Sequence, residues 1–146
     1  MRAPFQILAI PYKMEQEILY SVFKRSDSGQ WQFIAGGGED EETPKEATIR
    51  EIYEEAGIKT ADVIELVSMA YVPANVISEK HRQYWSRDTY VLPEYAFAFL
   101  CDEHINLSKE HTEYAWVSYE EAMKKLTWDS NKTALYELNC RLLSKG

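Results

Sequence analysis

The segment between Thr43 and Gly57 constrains the fold most, because the sequence predicts a helix there and marks both of its ends. Thr43 is a favoured N-cap, Pro44 suits the first helical position, and Glu46 completes a T-x-x-E capping box. Gly57 stands where a left-handed C-terminal cap is usual. We therefore expect a helix of defined length, with the rest of the chain arranged around it.

The residues of this helix sort onto two faces, because each successive residue is rotated by about 100°. The apolar face is predicted to carry Ile49, Ile52, Tyr53 and Ala56. The other face is predicted to carry Arg50, Glu51, Glu54 and Glu55, with the small Ala47 among them. For three glutamates alone, a solvated acidic face is the simplest interpretation, although like charges at this spacing repel. A cation between them would make the interaction attractive, since Mg²⁺ and Mn²⁺ prefer oxygen ligands.

The residues before the helix decide between these interpretations. From Gly36 to Ile58 the sequence reads GGGEDEETPKEATIREIYEEAGI, which fits G-x5-E-x7-R-E-U-x-E-E-x-G-U with U aliphatic. Seven specified residues at about 6–7% usage each would coincide on the order of 10⁻⁸ times per starting point. This stretch resembles the Nudix box of hydrolases that act on nucleoside diphosphate derivatives.

The resemblance implies a cofactor, Mg²⁺ or Mn²⁺, held by Glu51, Glu54 and Glu55. It implies that Glu54 reaches a second ion or the attacking water, and that Arg50 and Glu42 fix the box from outside. The charges agree for Arg50, because a guanidinium beside clustered carboxylates orients them and reduces their repulsion. We therefore assign Glu54 and Arg50 to the predicted catalytic machinery.

A further carboxylate is predicted outside the helix. The segment KEHTEYAWV, Lys109 to Val117, resembles an E-H-x-E-x-x-W stretch found late in many Nudix hydrolases. Glu110 is our prediction for an extra metal ligand or general base, with Glu113 as the alternative, and a surface position is the competing interpretation for both. His111 is expected to be structural or exposed rather than catalytic.

The last third of the chain suggests a substrate class. The stretches EHTEYAW and LTWDSNKTAL resemble the dATP pyrophosphohydrolase group, which includes dihydroneopterin triphosphate pyrophosphatases. The implied substrate is a nucleoside or pterin triphosphate, whose phosphates need cationic contacts and whose ring needs a stacking partner. The candidate phosphate contacts are Lys24, Arg25, Arg82 and Arg87, and the candidate stacking residues are Tyr84 and Trp85. The backbone of Gly36 and Gly37 is a candidate for close approach to metal or phosphate, with a flexible turn as the alternative.

Length and charge limit the remaining choices. A chain of 146 residues is expected to form one domain, residues 1–146. Its net charge of −8 argues against broad contact with a nucleic-acid polymer. The apolar run at the N-terminus is too short for a membrane span and has no signal-peptide cleavage site, so we expect a cytoplasmic protein. Exposed aromatic residues and the family resemblance are compatible with a homodimer.

The predicted class is α+β, and we expect a Nudix-type α/β/α sandwich with a mixed β-sheet between helices. Three helices and about six strands are predicted, with a loop at Ser78–Asp88 and with Ser118 and Asp129 as the N-caps of the last two helices. The strands are predicted at Phe5–Ile10, Glu17–Lys24, Trp31–Ala35, Val63–Val72, Thr89–Leu100 and Tyr114–Val117.

Three functions stay open on the sequence. The first is Mg²⁺-dependent hydrolysis of a nucleoside or pterin triphosphate by a metal-activated water, with release of pyrophosphate. The second is the same chemistry on a dinucleoside polyphosphate or another nucleoside diphosphate derivative. The third is a Nudix module that senses a nucleotide without cleaving it. The three helix glutamates argue against the sensor, since a protein without catalysis would be free to lose them.

Overall fold

A mixed sheet forms the centre of the structure, a computed structural model that describes residues 1–144. Its strands are β1 (Arg2–Met14), β2 (Ile18–Arg25), β3 (Trp31–Gln32), β4 (Ile34–Glu39), β5 (Ile64–Pro73), β6 (Val91–Leu100) and β7 (His111–Val117). The order is β3-β2-β1-β6-β5, while β4 pairs with β1 and β7 pairs with β2. Because β1 pairs parallel with β6 and antiparallel with β2 and β4, the predicted mixed sheet and α+β class are confirmed.

The helices cover both faces of this sheet. They are α1 (Pro44–Ala56), α2 (Glu79–Arg82), α3 (Tyr119–Lys125) and α4 (Asp129–Ser144), with a 3₁₀ turn at Ala74–Val76. One core places Ile52 and Ala56 of α1 against Ala9 of β1. The other core places Leu8, on the opposite face of β1, against Leu138 of α4. The predicted sandwich of helices around a sheet is therefore confirmed.

Several predictions about individual elements are wrong. The segment expected to be a loop, Ser78–Asp88, contains the short helix α2, and the glycines after Ile34 form a strand of their own, β4. The described part of the chain thus has four α-helices and seven strands rather than three and about six. Asp129, expected as the N-cap of the last helix, is instead the first residue of α4.

Strand β1 is longer than predicted because it continues through two prolines. Pro4 lies where the pairing with β4 shifts register, between Arg2 and Gln6. Pro11 lies between the part of β1 that pairs with β4 and the part that pairs with β2. At both positions a missing N–H removes little from the ladder, which is why these prolines do not end the strand.

Helix α1 has the predicted ends but a different buried face. Both hydrogen bonds of the capping box between Thr43 and Glu46 are present, and Gly57 has a φ of 72°. However, Tyr53 is 52% exposed, whereas Glu55 is only 4% exposed. The predicted faces are therefore wrong by part of a turn, because the helix packs with one of its glutamates directed into the protein. No helix among residues 1–144 is both long and apolar enough to cross a membrane.

Candidate functional site

A cleft of ≈ 1160 Å³ brings together several residues that the sequence singles out. Its lining includes Gly36 and Gly37 of β4, Glu51 and Glu54 of α1, and Glu110, which directly precedes β7. The capping box and the pairing of β4 with β1 fix the helix against the glycine strand. Three segments that are distant in sequence thus supply one site.

The two glycines make room for charged side chains on opposite faces of β4. A Cβ atom at Gly36 would overlap the carboxylate of Glu51, and one at Gly37 would overlap the guanidinium of Arg2. The first glycine therefore has a steric role at the site, because only a residue without a side chain lets Glu51 lie against the strand.

Arg50 holds the outer side of the site in a hydrogen-bond network. Its Nε and Nη2 donate to the two carboxylate oxygens of Glu42 at 2.8 and 3.0 Å, and Nη2 also donates to the Gly37 carbonyl at 2.7 Å. Its Nη1 donates to Glu51 at 3.0 Å and to Glu54 at 3.0 and 3.1 Å. The hydrogen bonds with Glu42 raise the pKa of Arg50, and the guanidinium lowers the pKa of Glu42. This network is a set of ion pairs in which each charge has a partner.

A second group of carboxylates, Glu51, Glu55 and Glu110, carries negative charge that is not fully compensated by cationic partners. Burial raises the pKa of Glu51 to about 7, although Arg50 acts against the shift, and Glu54 and Glu110 add to it. Burial, followed by a hydrogen bond with Glu110, also raises the pKa of Glu55. Glu55 accepts one hydrogen bond, from the Ser108 hydroxyl at 2.9 Å. Carboxylates at this end of the cleft therefore disfavour one another's charge.

His111 lies directly behind this group. Its Nδ1 is 3.5 Å from Oε2 of Glu55, but both ring nitrogens and that oxygen are buried without a hydrogen-bond partner among residues 1–144. Burial lowers the pKa of His111 and so favours the uncharged ring, which disfavours an ion pair with Glu55.

The side chains at this site have the chemical properties of ligands for a divalent cation. Glu51, Glu55 and Glu110 supply hard oxygen atoms, the charges repel in the absence of a cation, and one buried oxygen of Glu55 has no donor. Within residues 1–144, no three acidic, histidine or cysteine side chains are grouped as a complete cage. In this arrangement Glu51 and Glu54 are both engaged by the guanidinium of Arg50.

Arg25 and Lys24, two of the predicted phosphate contacts, differ in their position relative to the cleft. Arg25 lines the cleft, where it forms a two-pronged ion pair with Asp27 at 2.9 and 2.8 Å. Lys24 is outside the cleft lining, and its Nζ is 3.8 Å from Glu113, the alternative to Glu110. Only Arg25 of these two cations therefore faces the site.

The four predicted substrate contacts around α2 lie outside the cleft lining, although Ser78 and His81 of the same segment belong to it. Arg82 donates through Nε to the Ile77 carbonyl at 2.7 Å, while Tyr84 and Arg87 are exposed. Trp85 donates through Nε1 to the Arg2 carbonyl at 2.7 Å, which ties this segment to β1. The structure does not bring these four residues to the glutamates, and their contact with substrate stays a prediction.

The cleft lining also contains residues that were not predicted from the sequence, among them Arg2, Gln6 and Glu94. Glu94 had a usable signal, since an acidic residue inside the apolar run Val91–Leu100 needs an explanation. Arg2 and Gln6 belong to no motif, and only the pairing of β1 with both β4 and β6 brings them to the site.

Comparisons with known proteins agree with this architecture. The model of the NUDIX domain matches residues 6–138. A crystal structure of a Listeria monocytogenes protein described as a NUDIX hydrolase superposes with a TM-score of 0.85 at 44% identity, covering 98% of this chain and 97% of that one.

Two curated relatives are also similar. The dihydroneopterin triphosphate diphosphatase of Haemophilus influenzae is 25% identical over 145 residues, covering 92% of this chain and 88% of its own. The RNA pyrophosphohydrolase of Vibrio vulnificus is 33% identical over 104 residues, covering 66% of this chain. The match spans about three fifths, 60%, of the length of that relative. The family model and the Listeria structure cover almost the entire chain, and on that basis it belongs to the Nudix hydrolase family.

Proposed function

We propose that the protein hydrolyses a phosphoanhydride bond of a nucleoside or pterin triphosphate, with Mg²⁺ or Mn²⁺ as cofactor and pyrophosphate as a product. The observation that carries this proposal is the inner group of carboxylates, Glu51, Glu55 and Glu110, whose mutual repulsion a divalent ion would relieve. The relative named dihydroneopterin triphosphate diphosphatase supports the choice of a triphosphate.

We assign the ligand set to Glu51, Glu54, Glu55 and Glu110. When bound, the ion would neutralise phosphate charge and lower the pKa of a water molecule. Glu51 is held beside Gly36 and Glu55 beside Ser108, so both are positioned by the fold before any ligand arrives. A cation bound by these residues would allow an acidic protein to bind an anionic substrate, because the ion supplies the positive charge.

The proton of the attacking water needs an acceptor, and two residues suit this role. Glu110 lines the cleft next to Glu55, and Glu54 lines it on the solvent side of α1. Arg50 positions Glu54 and Glu51 through its shared Nη1 group, and it would exchange these contacts when the carboxylates turn to the ion. Arg25 lines the same cleft and can hold a phosphate if it releases Asp27.

The test is turnover of a panel of compounds with Mg²⁺ or Mn²⁺, monitored by the release of phosphate and pyrophosphate. The panel contains nucleoside triphosphates, a pterin triphosphate, a dinucleoside polyphosphate and ADP-ribose. We expect pyrophosphate from triphosphates and no turnover in EDTA. Tight binding of a nucleotide without turnover of any compound would refute hydrolysis and favour the sensing module.

RNA carrying a 5′-triphosphate belongs in the same panel, because relatives named RNA pyrophosphohydrolase match two thirds of the chain. Polymer binding requires cationic surface, and a net charge of −8 disfavours it. We therefore expect free triphosphates to be preferred over RNA ends.

A further inference from the structure

Glu94 is a carboxyl group in the part of the cleft that the proposed chemistry does not use. It is 7% exposed, lies in β6, and pairs in register with Gln6, which in turn pairs with Gly37 of β4. Residues paired in this way share one face of the sheet, and this is the face covered by α4. A side cavity of ≈ 220 Å³, lined in part by Ser130 of α4, adjoins Glu94 there.

Gln6 is oriented by its two neighbours. Its Oε1 accepts a hydrogen bond from Nη2 of Arg2 at 3.1 Å, which directs the amide NH₂ group toward Glu94. That NH₂ group donates to Oε2 of Glu94 at 3.4 Å, at the long limit of a hydrogen bond. Burial raises the pKa of Glu94, while hydrogen bonds with Ser130 and Gln6 favour its charged form. The carboxylate therefore has weak donors and remaining capacity to accept hydrogen bonds.

A buried acid in an apolar strand is costly unless something compensates it. Trp128 and Tyr71 line the same cleft as Glu94, with 49% and 62% of their surface exposed, so the cleft offers aromatic side chains to a flat ring. Aromatic side chains of this kind stack on heterocyclic rings. The compensation can thus come from the substrate's ring.

An ionised carboxylate only accepts hydrogen bonds, so its best partner is a ring edge with two adjacent N–H donors. Guanine and pterins share such an edge, a ring N–H beside a 2-amino group. Adenine instead presents a ring nitrogen lone pair beside its amino group, and that lone pair would face the carboxylate. We propose that Glu94 selects the substrate by accepting hydrogen bonds from the 2-amino-4-oxo edge of a guanine or pterin ring. This inference rests on the proposed function only in placing the phosphates at the glutamate end of the cleft.

The experiment measures binding and turnover separately. Calorimetry with Mg²⁺ and the α,β-methylene analogues of GTP and ATP gives ring preference without hydrolysis, and turnover of GTP, ITP, ATP and a pterin triphosphate gives kcat/KM. We expect at least ~10-fold preference for GTP over ATP, with ITP weaker than GTP because it lacks the 2-amino group. The pterin arm shows which of the two ring sources is preferred.

Glu94→Gln keeps the shape but places an NH₂ group in the site, so the GTP-to-ATP ratio should fall at least ~10-fold. Trp128→Ala should weaken both nucleotides alike, and Glu65→Gln, an exposed acid on β5, should change neither. Circular dichroism and thermal unfolding of each variant check the fold.

The two proposals fail in different ways. Equal binding of the two analogues by the native protein, or an unchanged ratio in Glu94→Gln, would overturn ring selection by Glu94. A preference for ATP over both GTP and the pterin triphosphate would overturn it too. Selective binding without any turnover would leave ring selection standing and remove the hydrolase. Turnover of all rings at equal efficiency would do the reverse.

Discussion

Two sets of carboxylates, on helix α1 and just before it, differ in how their charge is balanced. The outer set, Glu42 and Glu54, receives direct hydrogen bonds from Arg50 and lies toward solvent. The inner set, Glu51 and Glu55, lies close to Glu110 and the buried His111. Burial raises the pKa of both glutamates, and at Glu51 it outweighs the hydrogen bond from Arg50. The ion pairs of the outer set balance charge within the protein, whereas the repulsion within the inner set is of the kind that a bound cation would relieve. The contrast teaches that the number of acids on a helix says little about function until their partners are known.

The largest expected effect is at Glu55, the most buried acid of the inner set. Glu55→Gln should lower kcat at least ~10²-fold in Mg²⁺, because an amide is a poorer ligand and carries no charge. The variant should fold as well as the native protein without metal, since a repelling charge has been removed. Steady-state kinetics and circular dichroism measure these two outcomes. Glu120→Gln, on the exposed surface of α3, is the matched control. Near-normal turnover by Glu55→Gln would remove this residue from the ligand set.

The next prediction compares Glu110, which directly precedes β7, with Glu113, which lies within that strand. Glu110 faces the cleft, while Glu113 lies beside Lys24 at 3.8 Å and outside the cleft lining. Glu110→Gln should lower kcat by about 10²-fold, the usual effect of losing a general base or a metal ligand. Glu113→Gln should stay within about twofold of the native rate. If only the Glu113 variant is crippled, the assignment of Glu110 is wrong.

Arg50 tests whether the outer network serves the inner set. Arg50→Lys keeps the charge but cannot bond Glu42, Gly37 and the helix glutamates at once. We expect kcat to fall about 10- to 100-fold with the fold retained. Because a purely structural role would change stability alone, the thermal midpoint and the metal dependence of kcat are measured together. An unchanged metal dependence with a lower thermal midpoint would separate the two sets.

Gly36 and Gly37 provide a paired steric test. Gly36→Ala places a methyl group on the Glu51 carboxylate, and Gly37→Ala places one on the Arg2 guanidinium across the strand. Titration with Mn²⁺ should show about 10-fold weaker binding for the first variant only, because only Glu51 is displaced from the site. Equal loss in both variants would indicate a general distortion of β4 instead.

The sequence predicted the parts of this site that local rules define. Capping residues fix the ends of α1. The G-x5-E-x7-R-E pattern resembles the Nudix box, and that resemblance singles out Glu51, Glu54 and Glu55 as candidate metal ligands. The rotation of α1 could not be predicted, because the burial of Glu55 and the exposure of Tyr53 depend on how the helix meets β4 and β1.

Long-range pairing sets the rest of the site. Arg2, Gln6 and Glu94 meet only because β1 pairs with strands on both of its edges. One of these strands is distant in sequence, since Glu94 of β6 follows its partner Gln6 of β1 by 88 residues. Prolines in β1 and an apparent loop around α2 misled the assignment of elements, since tertiary pairing outweighed local preference.

The smallest expected effect is a pH dependence of stability that belongs to the inner set alone. The pKa of Glu51 is raised from 4.5 to about 7, so the folded chain binds this proton more tightly than the unfolded chain does. The stabilisation is therefore complete below pH 4.5 and is lost as the pH rises through 7. His111 acts in the opposite sense, because its lowered pKa means that stability is gained as the pH rises toward its ordinary value of 6.5 and is fully present above that value. The contribution of Glu51 is isolated by comparing native protein with Glu51→Gln in EDTA between pH 5 and pH 8, using denaturant unfolding. We expect the native free energy of unfolding to fall by about 1 kcal/mol more than that of the variant, and Mg²⁺ to abolish the difference. Parallel curves for the two proteins would mean that the charge of Glu51 is balanced as well as the charges of the outer set, Glu42 and Glu54.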